Sequence, residues 1–295
     1  MMQENLISIQ DLSKEYPGHI LALDDLNLSV SKGITALIGP NGSGKTTLIK
    51  IILGLLRPSF GEVQVLNLDS WKDSYKIRQQ IGAVNEKHFF PSNLTIEKYL
   101  NLIQPLYDVS QIPYLHLFDD LPRDRSIGAL SSGMNRKLGL LQMLLGNPKL
   151  IILDEPTANL DPLARKEFLE IIRTLYQQHG ISFLISSHIM ADLEEIATDV
   201  IALKEGSLVH KGNFSEFQQL YSSKVFELRV TDVKNWRKLL DESSDIENIS
   251  LYENTFKITL KEDKNISVLF KDDNNNLMNT ILSLRRLYSI DEIFE

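Results

Sequence analysis

The chain has 295 residues, of which 43% are hydrophobic and 24% charged, as is typical of a folded globular chain with one large domain or a large and a small one. Its formal net charge of −8 at pH 7 argues against a general nucleic-acid-binding surface. It contains no cysteine, which excludes disulfides, thiolate zinc sites and iron–sulfur clusters. The opening residues, MMQENLISIQ, lack the regions of a secretory signal, and we expect no membrane-spanning stretch.

The first part of the chain predicts an antiparallel pair of strands. Residues 6–12 and 21–30 alternate apolar and polar side chains, which is the period of a half-buried strand. Tyr16 lies in the turn between them, in the run YPG. An aromatic ring at such a point can stack on a bound adenine, but from composition alone a turn tyrosine without a ligand is the favoured interpretation.

A glycine-rich motif, GPNGSGKTT, lies between an apolar strand predicted at 34–38 and a helix predicted at 48–56. Glycines let the backbone N–H groups turn inward on phosphate oxygens at the positive end of that helix. Lys45 can place its charge between two phosphates of a nucleotide, and Thr46 can offer a hydroxyl to Mg²⁺. The flanking elements favour a phosphate-binding loop over a chance turn. The residues of this loop are Gly39, Pro40, Asn41, Gly42, Ser43, Gly44, Lys45, Thr46 and Thr47.

Short strands and an irregular helical region follow the loop. Residues 62–66 and 81–85 predict strands, and Glu86 follows the second strand directly. That glutamate is either a residue that holds metal-bound water or an ordinary solvated acid, and the sequence alone does not separate the two. Residues 94–145 have mostly helical spacing, which predicts an inserted helical subdomain rather than more sheet.

The sequence LSSGM at 130–134 stands just before a helix predicted at 135–145. Its hydroxyls and glycine, including Ser131 and Gly133, can form a second anion site at a helix N-terminus. An ordinary helix cap is the alternative, and it is the default interpretation when this motif is considered alone.

Two acidic residues follow the fully apolar strand predicted at 150–153. Asp154 and Glu155 would lie at the carboxyl end of a parallel strand, where α/β sheets bind ligands. The first can hold Mg²⁺ through water, and the second can orient or deprotonate an attacking water. With a phosphate loop upstream, this chemistry is favoured over two solvated acids.

The remaining part of the large domain alternates helix and strand. The turn at 159–162 begins a helix predicted at 163–178, and a strand predicted at 182–186 is followed by His188. A histidine there can contact a γ-phosphate, although a lone histidine is more often a hydrogen-bonded structural residue. Residues 200–204 and 207–211 predict a hairpin.

The composition changes near residue 221. The last part predicts a small α+β domain with no cluster of candidate site residues. Its predicted strands are 224–230, 249–252 and 256–260, and its predicted helices are 234–241 and 277–287.

Taken together, GPNGSGKTT, Glu86, LSSGM, IILDEP, NLD and His188, in this order, resemble the nucleotide-binding subunit of ATP-binding cassette (ABC) transporters. The resemblance covers roughly residues 6–220. It implies an α/β fold of the P-loop NTPase type: a mixed sheet, an antiparallel β subdomain and an inserted helical subdomain at about 94–145. The implied domains are a cassette at 1–220 and a small C-terminal α+β accessory domain at 221–295.

The resemblance also implies a role for each motif. Tyr16 would stack on adenine and the loop would hold the phosphates of ATP. Ser131 and Gly133 would contact the γ-phosphate of ATP bound to the opposite subunit. The pattern departs from the family at LSSGM, which stands for the usual LSGGQ, so a ribose contact by its final methionine is not expected.

The acidic residues and the histidine complete the implied catalytic site. Asp154 and Thr46 would serve Mg²⁺, Glu155 would be the catalytic base, and His188 the switch histidine. Glu86 stands where the family usually has glutamine, and it is a candidate for the metal site.

LSSGM, Glu86 and the C-terminal extension look like the drug, antibiotic-resistance and sodium-efflux branch of exporters. The resemblance thus implies an ATPase, with ATP and Mg²⁺ as cofactors, that powers an exporter through ATP-driven dimerisation of cassettes. Its partners would be a separate membrane-spanning permease and a second cassette, identical or related. It would be cytoplasmic and peripheral on the inner face of the cell membrane.

Two other classes share the phosphate loop. One is a soluble ABC-type ATPase acting on ribosomes or DNA, and the other is a small-molecule kinase. A single cassette, no heptads, no cysteine and a net charge of −8 argue against the first, and we expect no nucleic-acid partner. LSSGM and His188 would have no use in the second.

Overall fold

The computed structural model describes residues 5–84, 90–107, 109–187, 190–220, 225–261, 266 and 275–286. The strands, in chain order, are β1 Asn5–Tyr16, β2 Ile20–Ser31, β3 Ile34–Ile38, β4 Phe60–Val65, β5 Leu68–Asp69, β6 Ile81–Val84, β7 Leu150–Asp154, β8 Ser182–Ser187, β9 Asp199–Lys204, β10 Ser207–Asn213, β11 Val225–Val230, β12 Ile246–Tyr252, β13 Thr255–Leu260 and β14 Ile281–Arg286. The α-helices are α1 Lys45–Ile52, α2 Ser74–Arg78, α3 Ile96–Ile103, α4 Ser132–Leu144, α5 Pro162–His179, α6 Met190–Leu193, α7 Phe214–Leu220, α8 Val233–Asp241 and α9 Asn275–Met278.

The chain divides into two compact units, Met1–Phe217 and Gln218–Glu295. The division falls within α7. The first turn of that helix belongs to the first unit, because Phe214 and Phe217 are fully buried and the ring of Phe217 packs 5.0 Å from that of His210.

A six-stranded mixed sheet forms the centre of the first unit, in the order β10-β9-β3-β8-β7-β6. Its inner strands are parallel, and only β9 and β10 pair as an antiparallel hairpin, as their short connection allows. Every residue of β3, β7 and β8 is buried, which fits their nearly continuous apolar runs. The carboxyl ends of these three strands therefore meet at one edge of the sheet.

An antiparallel sheet, in the order β2-β1-β4-β5, packs in the same hydrophobic core. The predicted pair of strands is present but longer, since β1 runs to Tyr16 and β2 begins at Ile20. Apolar residues of both sheets and the inner face of α1 form one continuous cluster. Burying each such aliphatic side chain contributes roughly 1.5–3 kcal/mol, which fixes α1 against both sheets.

The segment between β6 and β7 is helical and irregular, as its spacing predicts. It contains α3, three 3-10 turns at 104–107, 115–118 and 127–129, and α4. Helix α4 begins three residues earlier than the predicted 135, because the hydroxyl of Ser131 accepts a hydrogen bond from the N–H of Met134 and caps the helix there.

The second unit has the order β-α-β-β-α-β and a four-stranded antiparallel sheet, β12-β13-β11-β14. This is the split β-α-β arrangement of ferredoxin-like domains. Its core is apolar and includes Trp236 of α8, which is fully buried. The unit thus has its own core.

The predicted helix at 277–287 is wrong. Only α9 is helical there, and β14 pairs along β11 from Val230 opposite Ile281 to Phe226 opposite Arg286. The chain leaves the helix at Thr280, whose hydroxyl donates to Leu277 O at 2.6 Å and accepts from the indole N–H of Trp236 at 2.8 Å. Backbone pairing with a sheet edge outweighs a local helical pattern, since propensity is a weak constraint.

Because the second unit has its own core, we predict that removing residues 225–295 leaves the first unit folded. The shortened chain should bind ATP with an affinity close to that of the full chain and unfold in one cooperative transition. Nucleotide titration and thermal unfolding measure both. Insoluble protein, or loss of ATP binding, would show that the first unit needs the second.

Candidate functional site

The glycine-rich loop connects the buried strand β3 to the N-terminus of α1. Its backbone conformation requires glycine at two points, with φ of 84° at Gly42 and 100° at Gly44. At Gly44 a β-carbon would also lie 2.6 Å from both the carbonyl oxygen of Ala22 and a methyl group of Leu23. The start of α1 can therefore lie this close to β2 only with glycine there.

The N-terminus of α1 is open to an anion. Within the described residues, no side chain caps it and its first turn carries no acid, whereas α3, α4 and α5 are capped by Thr95, Ser131 and Asp161. The amides of this first turn therefore have no side-chain acceptor, and the helix dipole favours negative charge at the same point. A phosphate group would satisfy both requirements.

Lys45 lies inside the loop, with 7% of its surface exposed. Its ammonium group donates to the carbonyl oxygens of Gly39 at 2.7 Å and Pro40 at 3.1 Å. Burial lowers the pKa of Lys45 below its usual value, and the carboxylates of Glu155 and Asp154 offset part of that shift. The charge of the lysine is thus held between the loop and the two acids.

Asp154 accepts hydrogen bonds from two hydroxyl groups that come from different elements. Thr46, on α1, donates to its Oδ2 at 3.1 Å, and Ser186, on β8, donates to its Oδ1 at 2.6 Å. Ser186 stands directly opposite Asp154 in the parallel β7–β8 register. A hydroxyl and a carboxylate oxygen in contact form the hard-oxygen environment that Mg²⁺ prefers, so the residues fit that ion.

Glu155 follows Asp154 in a strained backbone conformation, with φ of 48°. Its N–H donates to the hydroxyl of Ser186 at 2.8 Å, so the same serine holds both acids. Ser186 is fully buried. Ser186 was not among the predicted site residues, and its only signal in the sequence is a hydroxyl at the end of an apolar strand.

Tyr16 lies beside the loop, and its role in stacking on adenine stays a prediction. Its hydroxyl is 3.5 Å from Oγ1 of Thr47. The ammonium group of Lys14 lies 5.5 Å from the centre of its ring, within range of a cation–π contact. The ring is half-buried, which leaves area for a stacked base.

The contacts of Ser131 and Gly133 run to α4 and α5 rather than to the loop. Ser131 acts as the α4 cap, which is the default interpretation of this motif. Gly133 is buried, and a β-carbon there would lie 2.9 Å from that of Ala164 on α5. Close packing of the two helices is thus a reason for glycine that the sequence did not indicate.

Two predicted site residues, Glu86 and His188, lie outside the described residues. The structure therefore brings together Tyr16, the loop, Asp154 and Glu155. In the ranges that the model describes, no group of three or more histidine or acidic side chains forms a metal site.

The fold and this site define a nucleotide-binding protein of the P-loop class. Residues 23–158 match the ABC transporter family model. The bacitracin transport ATP-binding protein BcrA of Bacillus licheniformis is 31% identical over 254 residues, which are 84% of this chain and 82% of that protein. The lantibiotic transport ATP-binding protein SrtF of Streptococcus pyogenes is 31% identical over 76% of this chain and all of its own length.

A solved structure, the dimeric post-hydrolysis state of the ATP-binding cassette MJ0796 bound to ADP and Pi, shares the fold with a TM-score of 0.62. It is 23% identical over 70% of this chain and 98% of that chain. The chain belongs to the ABC transporter family and is an ATP-binding, ATP-hydrolysing transport subunit. The predictions of family, fold class and ATPase activity are confirmed, and an ATPase acting on ribosomes or DNA is not favoured.

In the part of the chain that the model describes, no helix combines the length and the apolar character needed to cross a membrane.

We predict that Tyr16 contributes to ATP affinity through its ring. Replacing it with alanine should weaken ATP binding by about 1–2 kcal/mol, whereas phenylalanine should bind almost normally, because the ring and not the hydroxyl makes the contact. Titration with ATP measures this. Tyr75→Ala, which changes an exposed tyrosine on α2, is the matched control and should have no effect. Equal affinities for Tyr16→Ala and wild type would make Tyr16 a structural turn residue.

Proposed function

We propose that this chain powers a membrane exporter by ATP-driven pairing of two cassettes, with a membrane-spanning permease as a separate chain. The observation that carries the proposal is the site at the open N-terminus of α1, where Lys45, Thr46 and Asp154 lie together. This site offers donors to one side of a triphosphate only. A second set of donors must then come from elsewhere.

The N-terminus of α4 is the source that we propose for this second set. Ser131 is exposed there, and its local contacts and those of Gly133 run to α4 and α5. A second cassette, identical or related, would present this surface to the γ-phosphate. The dimeric structure of MJ0796, a protein of the same fold, supports such pairing.

In this proposal, each group of residues has a separate role in ATP binding and hydrolysis. The loop amides and Lys45 bind the phosphates, and Tyr16 positions the adenine. Glu155 accepts a proton from the attacking water, while Ser186 holds the backbone of that acid in place. Loss of the γ-phosphate removes the bridge between the cassettes and lets them separate, which is the movement transmitted to the permease.

Thr46 and, through water, Asp154 would hold Mg²⁺, which when bound neutralises phosphate charge. Contacts of His188 with the γ-phosphate and of Glu86 with metal-bound water belong to the same proposal and rest on the sequence pattern. The attachment of the chain to the inner face of the membrane is through the permease.

Glu155→Gln tests the base and the pairing together. The amide keeps the size of the side chain but does not accept the proton, so ATP should bind and persist. We expect the variant with Mg·ATP to accumulate as a dimer in sedimentation and to hydrolyse ATP at least about a hundredfold more slowly than wild type. Lys45→Ala is the control and should stay monomeric, because it loses the charge that holds the phosphates. A monomeric Glu155→Gln variant with wild-type hydrolysis would contradict both roles.

We further propose that the exported molecule is an antimicrobial peptide. The similar proteins BcrA and SrtF are named as ATP-binding proteins of bacitracin transport and of lantibiotic transport. In a strain lacking the gene, the inhibitory concentration of such a peptide should fall. Wild-type protein should restore it, and Lys45→Ala should not. Restoration by Lys45→Ala would show that resistance does not need ATP hydrolysis by this chain.

A further inference from the structure

A partly buried ion pair joins α5 to α6, near the turn that follows Glu155. Nη1 of Arg165, on α5, is 2.9 Å from Oδ1 of Asp192, on α6. The side chain of Asp192 is only 5% exposed and that of Arg165 28%. Removing one partner of a buried pair leaves the other charge uncompensated, so these two residues depend on each other.

The same guanidinium reaches the turn itself. Nη2 of Arg165 donates to the carbonyl oxygen of Leu160 at 3.5 Å. Leu160 is buried, and its N–H bonds to Thr157 O at 3.3 Å. The N–H of Ala158 in turn bonds to Glu155 O at 3.3 Å. A series of local hydrogen bonds therefore connects Arg165 to Glu155 through the turn.

The pair is poorly suited to a purely stabilising role. Among the described residues, Nε of Arg165 and Oδ2 of Asp192 are buried without a hydrogen-bond partner. Arginine–carboxylate pairs are frequently bidentate, with two parallel N–H···O hydrogen bonds. Here one terminal nitrogen serves Asp192 and the other serves the turn, so the guanidinium bridges two elements.

We propose that Arg165 is a positioning residue for ATP hydrolysis, which holds the turn 155–160 and through it the carboxylate of Glu155, while Asp192 fixes the guanidinium. The proposal rests on the proposed role of Glu155 as the base. A non-glycine residue with φ of 48° persists only where its surroundings hold it. Ser186 holds Glu155 at its N–H, and Arg165 holds the other end of the turn.

Arg173 provides a matched control on the same helix. It lies about two turns further along α5, pairs with Glu170 at 3.2 Å and donates to Glu195 O at 3.0 Å. It thus joins α5 to the segment after α6, as Arg165 joins α5 to α6, but it makes no described contact with the turn 155–160. A role in packing α5 alone would apply to both arginines.

The experiment compares Arg165→Ala, Arg165→Lys and Arg173→Ala in the full chain, measuring kcat, ATP affinity and thermal unfolding. We expect Arg165→Ala to lower kcat about ten- to a hundredfold at saturating ATP, the scale of a small misplacement of a catalytic group, with ATP affinity nearly unchanged. A lysine places one charge near Asp192 but does not serve both partners. Arg165→Lys should therefore recover thermal stability more than it recovers kcat. Arg173→Ala should keep kcat near wild type.

Equal losses of kcat in Arg165→Ala and Arg173→Ala would overturn the proposal, as would a full recovery of kcat by lysine. If Arg165→Ala does not fold, the lysine variant and Asp192→Asn, which keeps an acceptor but removes the charge, give the same comparison. A normal kcat in these variants while Glu155→Gln is inactive removes only the role of Arg165. If Glu155→Gln hydrolyses ATP at the wild-type rate, Glu155 is not the base, and the proposed role of Arg165 fails with it.

Discussion

The site depends on the carboxylate of Asp154 and the two hydroxyl groups that hydrogen-bond to it. One hydroxyl, from Ser186, comes from the neighbouring strand, and the other, from Thr46, comes from the first turn of α1. These bonds join the phosphate loop to the ends of β7 and β8. They form because parallel pairing sets Ser186 opposite Asp154, and because the loop brings α1 back over the edge of the same sheet. A buried carboxylate needs such partners, since an unpaired one would be costly.

Burial and the two nearby acids have opposite effects on the pKa of Lys45. The strands beneath the site are buried and mostly apolar, so Lys45 is partly removed from water and its charged form is disfavoured. The two nearby acids, Asp154 and Glu155, raise the pKa of Lys45 and so offset part of the effect of burial. A triphosphate would bring negative charge to the same ammonium group. Lys45 is thus held ready for phosphate by carbonyl oxygens that form weaker partners than phosphate oxygens would.

Much of the central sheet and of the phosphate loop could be predicted because their signals are local. Apolar runs such as ITALI and LIILD are typical of strands buried on both faces of a parallel sheet, and the glycine pattern restricts the loop conformation by sterics alone. Ser186 could not be found in this way, since a serine gains its role only from the residue opposite it in another strand. The helix predicted at 277–287 failed for the same reason: the partner strand of residues 281–286 lies about fifty residues earlier in the chain.

Glycine at position 133 is explained both by a predicted phosphate contact and by helix packing. The sequence pattern assigns it to phosphate binding, whereas the structure gives it the task of letting α4 approach α5 at Ala164. Near that approach, Ser132 donates to Asn159 O at 3.4 Å, and Lys137 of α4 bonds to Glu167 of α5 at 2.7 Å. Close-packed interiors have low compressibility and transmit strain. These contacts join the start of α4 to α5 and to the turn before it, which is the turn that follows Glu155.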